Sequence, residues 1–155
     1  MSEASTRVVA DADVLAADLL CDGSSREALD HVRAHSWMTL VASDHLLDDA
    51  EAVVAELADA ELAADWRDRI EQDVESVEHP PSDHPGLASA YRGEAAHLLS
   101  FDRGLGSAKA GAGMNKHMSL SVRPPDAFAR LFDPESLYEA VVGDEYPGPD
   151  VDPRE

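Results

Sequence analysis

Apolar positions along the chain alternate between two patterns, short unbroken runs bounded by polar turns and longer stretches with apolar residues at helical spacing. The runs Val8-Val-Ala10, Trp37-Met-Thr-Leu-Val-Ala42, Ala95-Ala-His-Leu-Leu-Ser100 and Met118-Ser-Leu-Ser-Val122 predict buried strands. Helices are predicted over residues 14–20, from a Ser24 or Ser25 cap to about 35, over 44–57, from 60 to about 77, and over 87–91, 126–132 and 135–142. In the stretch that Ser43 caps, Leu46, Leu47, Ala50, Val53, Val54 and Leu57 form the buried stripe. Leu62, Trp66, Ile70, Val74 and Val77 do the same in the helix after it. Strands alternating with helices predict an α/β fold, a three-layer α/β/α sandwich around a mostly parallel sheet. Residues 1–142 then make one domain, and the acidic, Pro-rich residues 143–155 a disordered tail.

Two of the strands deliver carboxylates where such folds place their sites, at the carboxyl ends of the strands. The first run ends in Asp11 and Asp13, a pair suited to a hard divalent cation. A single aspartate there would do no more than cap the following helix. Asp48 and Asp49 flank the apolar stripe of the 44–57 helix, and either can lean towards the sheet edge or stand as a plain surface charge. Asp83 precedes a small-residue helix, and the third run ends in Ser100-Phe-Asp102. That second strand ending in an aspartate favours a metal site over capping alone. His31 and His35 stand four apart on one helix, a zinc-chelating spacing, but no Glu or Cys accompanies them and a solvated pair is the expectation.

Charge changes the picture in one way. The chain has 32 acidic residues against 12 basic ones in 155, and its acids are spread along the sequence rather than gathered in a tail. Such a balance reads either as an acidic protein that avoids nucleic acid or as an Asp-rich, Lys-poor halophilic surface. The spread of acids favours the second, at molar salt, where the Debye length falls to about 3 Å. Net charge therefore does not exclude a nucleic-acid substrate. Between Arg103 and Pro125 there is no acid at all, and this glycine-rich stretch holds both lysines, Lys109 and Lys116. It is either a flexible loop of chance composition or a path for phosphates. The pattern GxxxxGK[ST] is absent, so it is not a P-loop. The lone Cys21 forms no internal disulfide and fits a reducing cytoplasm, and no apolar run is long enough to span a bilayer.

With an acid after the first strand, in a helix, before a helix and after a later strand, the chain resembles the PIN-domain family. These are small metal-dependent ribonucleases that include toxins of toxin–antitoxin pairs. The resemblance rests on Val8-Val-Ala-Asp11-Ala-Asp13-Val-Leu15, and on Val41-Ala-Ser43 followed by Asp49. It continues through Asp83, Ala88, Ala90 and Leu98-Leu-Ser100-Phe-Asp102 to Leu120-Ser-Val-Arg-Pro-Pro-Asp-Ala-Phe128. It covers roughly residues 7 to 132, with Asp13 where the family commonly has Asn, Asp49 where Glu is usual and Ser100 in place of Thr.

The resemblance implies a PIN-like sandwich, and the acidic, Lys-poor composition makes a haloarchaeal member the expectation. Its catalytic bowl would be formed by Asp11, Asp49, Asp83 and Asp102, with Asp48 the rival of Asp49. Asp11, Asp83 and Asp102 would hold Mg²⁺ or Mn²⁺ directly or through water, with Asp13 and Ser100 in support. Arg103, Lys109 and Lys116 would contact RNA phosphates. An antitoxin-like protein and a second copy of the chain are the implied partners. Two other classes compete. A PIN-like module could bind RNA or protein without cleaving. The Asp11-Ala-Asp13-Val14 opening also fits haloacid-dehalogenase-like phosphatases, but no apolar strand after Lys109 ends in the acid pair that those enzymes need.

Overall fold

The computed structural model describes residues 6–80, 84–101 and 120–151. Strands β1 (Arg7–Ala10), β2 (Thr39–Ser43), β3 (Val74–Val77), β4 (His97–Leu99) and β5 (Ser121–Arg123) form one sheet, ordered β3-β2-β1-β4-β5. Every pairing is parallel. β1 is central, and its consecutive residues Val8 and Val9 are both fully buried. Successive strand residues face opposite sides, so both faces of β1 are covered, as an apolar run without alternation requires.

Seven helices are described: α1 (Ala12–Leu20), α2 (Ser24–Arg33), α3 (Asp44–Leu57), α4 (Ala60–Asp73), α5 (Pro85–Arg92), α6 (Pro125–Leu131) and α7 (Pro134–Val142). Local chemistry starts several of them. Ser43 Oγ accepts from the Leu46 N–H at 3.1 Å, Asp59 from Leu62 at 2.7 Å and Asp133 from Ser136 at 3.1 Å. Each bond satisfies an N–H that a helix start leaves unpaired. The main core joins β1, β2 and β4 to Leu15, Leu29, Leu46, Trp66, Ile70 and Phe128. Where α5 ends, Gly93 lies so close to β2 that an added Cβ would sit 2.4 Å from Val41 Cγ1. No helix among the described residues is long and apolar enough to cross a membrane.

Four differences from the sequence expectation have physical causes. The helix expected to run from 60 to about 77 stops at Asp73, and Val74–Val77 becomes an edge strand instead. Its two valines pair with Leu40 and Ser43 of β2, a gain from sheet pairing that local periodicity does not register. Leu57, expected in the buried stripe of α3, is 70% exposed at the helix end.

His31 and His35 are not a solvated pair. His35 is buried, with Nδ1 on the His31 carbonyl at 2.7 Å and Nε2 on the Tyr146 hydroxyl at 2.6 Å, and both rings lie against Phe132. With both nitrogens engaged, His35 has none left for zinc. Finally, residues 143–151 do not trail off as a tail. The Asp150 and Val151 N–H groups donate to the Ala34 carbonyl, and the Asp150 carboxylate accepts from the backbone and hydroxyl of Ser36. The chain end is thus strapped over the end of α2 by polar bonds. Residues 152–155 lie outside the described residues.

Candidate active site at the carboxyl edge of the sheet

The chain runs from β1 through β2 to β3 on one side of the sheet, then returns to place β4 and β5 on the other. The direction of winding reverses between β1 and β4. In open parallel sheets such a reversal leaves a crevice at the carboxyl ends of the two strands. Asp11 follows β1 and Ser100 follows β4, so both residues stand at that crevice. The Asp11 N–H donates to the Leu99 carbonyl at 2.9 Å and the Ser100 N–H to the Arg123 carbonyl at 2.9 Å, so the ladder fixes both backbones.

The half-buried Asp11 carboxylate accepts from two donors. Oδ1 takes the Ala12 N–H at 3.1 Å, and Oδ2 takes the Ser100 hydroxyl at 3.0 Å. Asp11 therefore does cap α1, but the Ser100 bond is not part of capping. It orients the carboxylate from a neighbouring strand, and two of roughly four lone-pair directions remain unused by these bonds. Gly86, in the first turn of α5, borders the same carboxylate. A Cβ there would lie 3.0 Å from Asp11 Oδ1 and 3.2 Å from His84 Cε1. Glycine there lets the α5 backbone approach the Asp11 carboxylate and the His84 ring more closely than a residue with a Cβ could.

The other expected residues are placed unequally. Asp13 is exposed in the first turn of α1, where its charge complements the helix dipole. Asp48 is drawn to α4, with its Oδ1 2.7 Å from Arg67 Nη1. Arg67 also meets Asp44, Glu51 and Glu71. Burial works against the Arg67 charge, but the bonds from Asp48 and Glu71 outweigh it and raise its pKa.

Asp49, also exposed, makes no hydrogen bond or ion pair among the described residues. It lies one turn beyond His45, whose ring is 5.0 Å from that of His79 just past β3. Asp48 and Asp49 thereby differ in their partners, Asp48 being tied to Arg67. Asp83, Asp102, Arg103, Lys109 and Lys116 lie outside the described residues.

Two features escaped sequence reasoning. One is a buried polar chain. His79 Nδ1 donates to the Pro80 carbonyl at 2.8 Å, so Nε2 accepts from Ser43 Oγ at 2.8 Å, and the Ser43 N–H donates to Ser89 Oγ at 3.1 Å. This chain ties the end of β2 and the start of α3 to α5. The other is His84, whose Nδ1 accepts from the Leu87 N–H at 3.3 Å and so caps α5. Both histidines sit in the Pro-rich connection, where no periodicity marks them.

As far as it is described, the donor set suits a hard cation. Carboxylate oxygen is the ligand Mg²⁺ and Mn²⁺ take, and Mg²⁺ commonly uses one or two carboxylates and keeps several waters. Among the described residues no three His, Cys, Asp or Glu side chains converge as a complete cage. No curated protein and no solved structure matches this chain. A family of unknown function, DUF7384, matches over residues 2–154, and the chain belongs to it.

Proposed function

We propose that the protein is a metal-dependent endoribonuclease of the PIN type, a three-layer α/β/α sandwich. Its proposed site comprises Asp11, Asp49, Asp83 and Asp102, with Mg²⁺ or Mn²⁺ held by Asp11, Asp83 and Asp102. One observation carries the reading: at the point where the winding of the sheet reverses, Asp11 is aligned by Ser100 from the adjacent strand. Capping α1 needs no such partner, whereas holding a carboxylate oxygen in a fixed direction for an ion does. The covered faces of β1 support the sandwich.

A bound divalent ion supplies an activated water and neutralises charge on the scissile phosphate. The chain's own residues do the rest. Ser100 fixes the Asp11 carboxylate, Gly86 lets α5 pack close against it, and Ser43 with His79 holds α3 and α5 in place around it. Arg103, Lys109 and Lys116 position the RNA backbone without reading bases, because phosphate contacts carry no sequence information. The spread acidic charge suits a cytoplasm at molar salt, with RNA as substrate and an antitoxin-like protein or second copy as partner. The same site without turnover is the second reading. It is favoured by Asp49, which is a methylene shorter than the Glu usual in PIN domains.

A nuclease assay at molar KCl with Mn²⁺ tests the proposal. Wild-type protein should cleave single-stranded RNA and stop on chelation, and Asp11→Asn should abolish cleavage. Mn²⁺ should also raise the wild-type Tm, since an ion at a hundredfold excess over its Kd adds about 2.7 kcal/mol. The rise should be blunted in Asp11→Asn. Equal cleavage, or equal Tm shifts, in the two proteins would refute the site.

A further inference from the structure

We propose that His84 is a substrate-binding residue, donating a hydrogen bond from its Nε2–H to a phosphate oxygen of RNA seated beside Asp11. The inference rests on the ribonuclease reading and adds to the carboxylate site a residue of a different chemical type. Three observations lead to it. First, the Leu87 N–H donates to His84 Nδ1 at 3.3 Å. With that nitrogen acting as acceptor, the neutral ring carries its proton on Nε2. No protonation change is needed to make a donor.

Second, the ring edge that bears Cε1 faces Gly86, and so does Asp11. An added Gly86 Cβ would touch both His84 Cε1, at 3.2 Å, and Asp11 Oδ1, at 3.0 Å. Nε2 is bonded to Cε1, so the donor lies on the ring edge that borders, with the Asp11 carboxylate, the same point beside Gly86. Third, His84 is exposed and its Nε2 has no protein acceptor among the described residues. His79 serves as a contrast, because both of its nitrogens are satisfied within the protein.

In a strongly acidic protein a phosphate needs donors that do not repel it. A neutral N–H beside the carboxylate is such a donor, and it does not compete for a cation as another carboxylate would. Capping α5 fixes the ring direction, so little rotamer freedom is lost on binding.

Two substitutions separate this role from capping. Asn keeps a side-chain oxygen that can accept from Leu87 N–H but does not reach the Nε2 position. Gln places an amide N–H near the Nε2 position but is a poor cap. On an Asp11→Asn background, which binds without cutting, anisotropy of a labelled single-stranded RNA should show about tenfold weaker binding for His84→Asn, the worth of one hydrogen bond to a charged group. His84→Gln should bind close to the background value. The melting temperatures should show the reverse, with the Asn variant unchanged and the Gln variant lowered.

With Asp11 restored, His84→Asn should raise KM about tenfold at nearly unchanged kcat, as expected for a contact made equally in ground and transition states. If Asp11→Asn abolishes cleavage while His84→Asn binds and cleaves as its parent does, this inference is overturned and the ribonuclease reading stands. A wild type that neither binds nor cuts RNA removes both.

Discussion

Asp18 and Arg33 offer the sharpest test of how α1, the helix that Asp11 caps, is held against α2. Asp18 lies on α1 and is 6% exposed, and Arg33 at the end of α2 grips it with both terminal nitrogens, one contact being 2.8 Å. Arg26 adds bonds to the Asp18 and Leu19 carbonyls at 3.0 and 2.9 Å, which satisfy the carboxyl end of α1. Burial opposes the Arg33 charge, but the bonds and charge of Asp18 outweigh it and raise the guanidinium pKa further.

Asp18→Asn keeps the shape, removes the anion and turns an amide NH₂ against a guanidinium. Breaking a buried pair from one side costs about 3–5 kcal/mol. Here Arg33 is 24% exposed and keeps Asp30 at 3.1 Å, so solvent and the second acid reduce the loss. We expect about 2 kcal/mol, a fall in Tm of roughly 4–8 °C for a domain of this size. Scanning calorimetry from about 0.5 to 3 M KCl should find that loss nearly constant, because a buried contact pair is screened far less than exposed charges. The double change Asp18→Leu with Arg33→Met should recover most of the stability, since apolar replacement of both partners removes the uncompensated charge. A fall in Tm below about 1 °C for Asp18→Asn, or a double variant worse than the single, would refute this account.

Two further outcomes follow from the packing and the strap. Gly93→Ala places its Cβ 2.4 Å from Val41 Cγ1 and 3.0 Å from the Ser89 carbonyl, and should cost about 1–3 kcal/mol in denaturant unfolding; Gly93→Ala with Val41→Ala should regain part of it, and an unchanged midpoint for the single variant would disprove the close contact. For the strap, the Ser36 hydroxyl and then its N–H hold the Asp150 carboxyl below the usual carboxylate range. A depressed folded-state pKa contributes stability that is complete above the unfolded value of about 3.9 and is lost as pH falls through the folded one. Hydrogen exchange at the Asp150 and Val151 amides, corrected for intrinsic rate, should therefore accelerate below about pH 4, and protection unchanged to about pH 2 would contradict it.

What could be read from the sequence was local. An apolar run ending in Asp11, and another ending in Ser43 before an amphipathic helix, carry their own signals, because burial and N-capping act within a few residues. The errors arose where a distant partner decided the outcome. Val74-Glu-Ser-Val77 continues the helical spacing of Trp66 and Ile70, and only the exposed edge of β2 makes it a strand. His35 reads as a surface residue until Tyr146, far along the chain, covers it. Asp48 and Asp49 are indistinguishable in sequence, and it is Arg67 on the next helix that claims one of them.

The candidate site shows the same division in its strongest form. Asp11 alone is a helix cap, and Ser100 alone is a small polar residue after a short strand. Neither motif implies the other, and 89 positions separate them in the chain. The order of strands along the sequence does not say which of them are neighbours, and a meander that kept β1 beside β2 alone would leave the two residues apart. The crossover back to the far side of β1 sets Leu99 opposite Ala10 and so brings the Ser100 hydroxyl to the Asp11 carboxylate. Topology thus turns two weak local signals into one oriented group. It also supplies the position of His84, because the helix that returns the chain to β4 must start at the edge where Asp11 ends its strand. A single sequence records each of these residues, but their chemistry as a set follows only once the winding of the sheet has put them side by side.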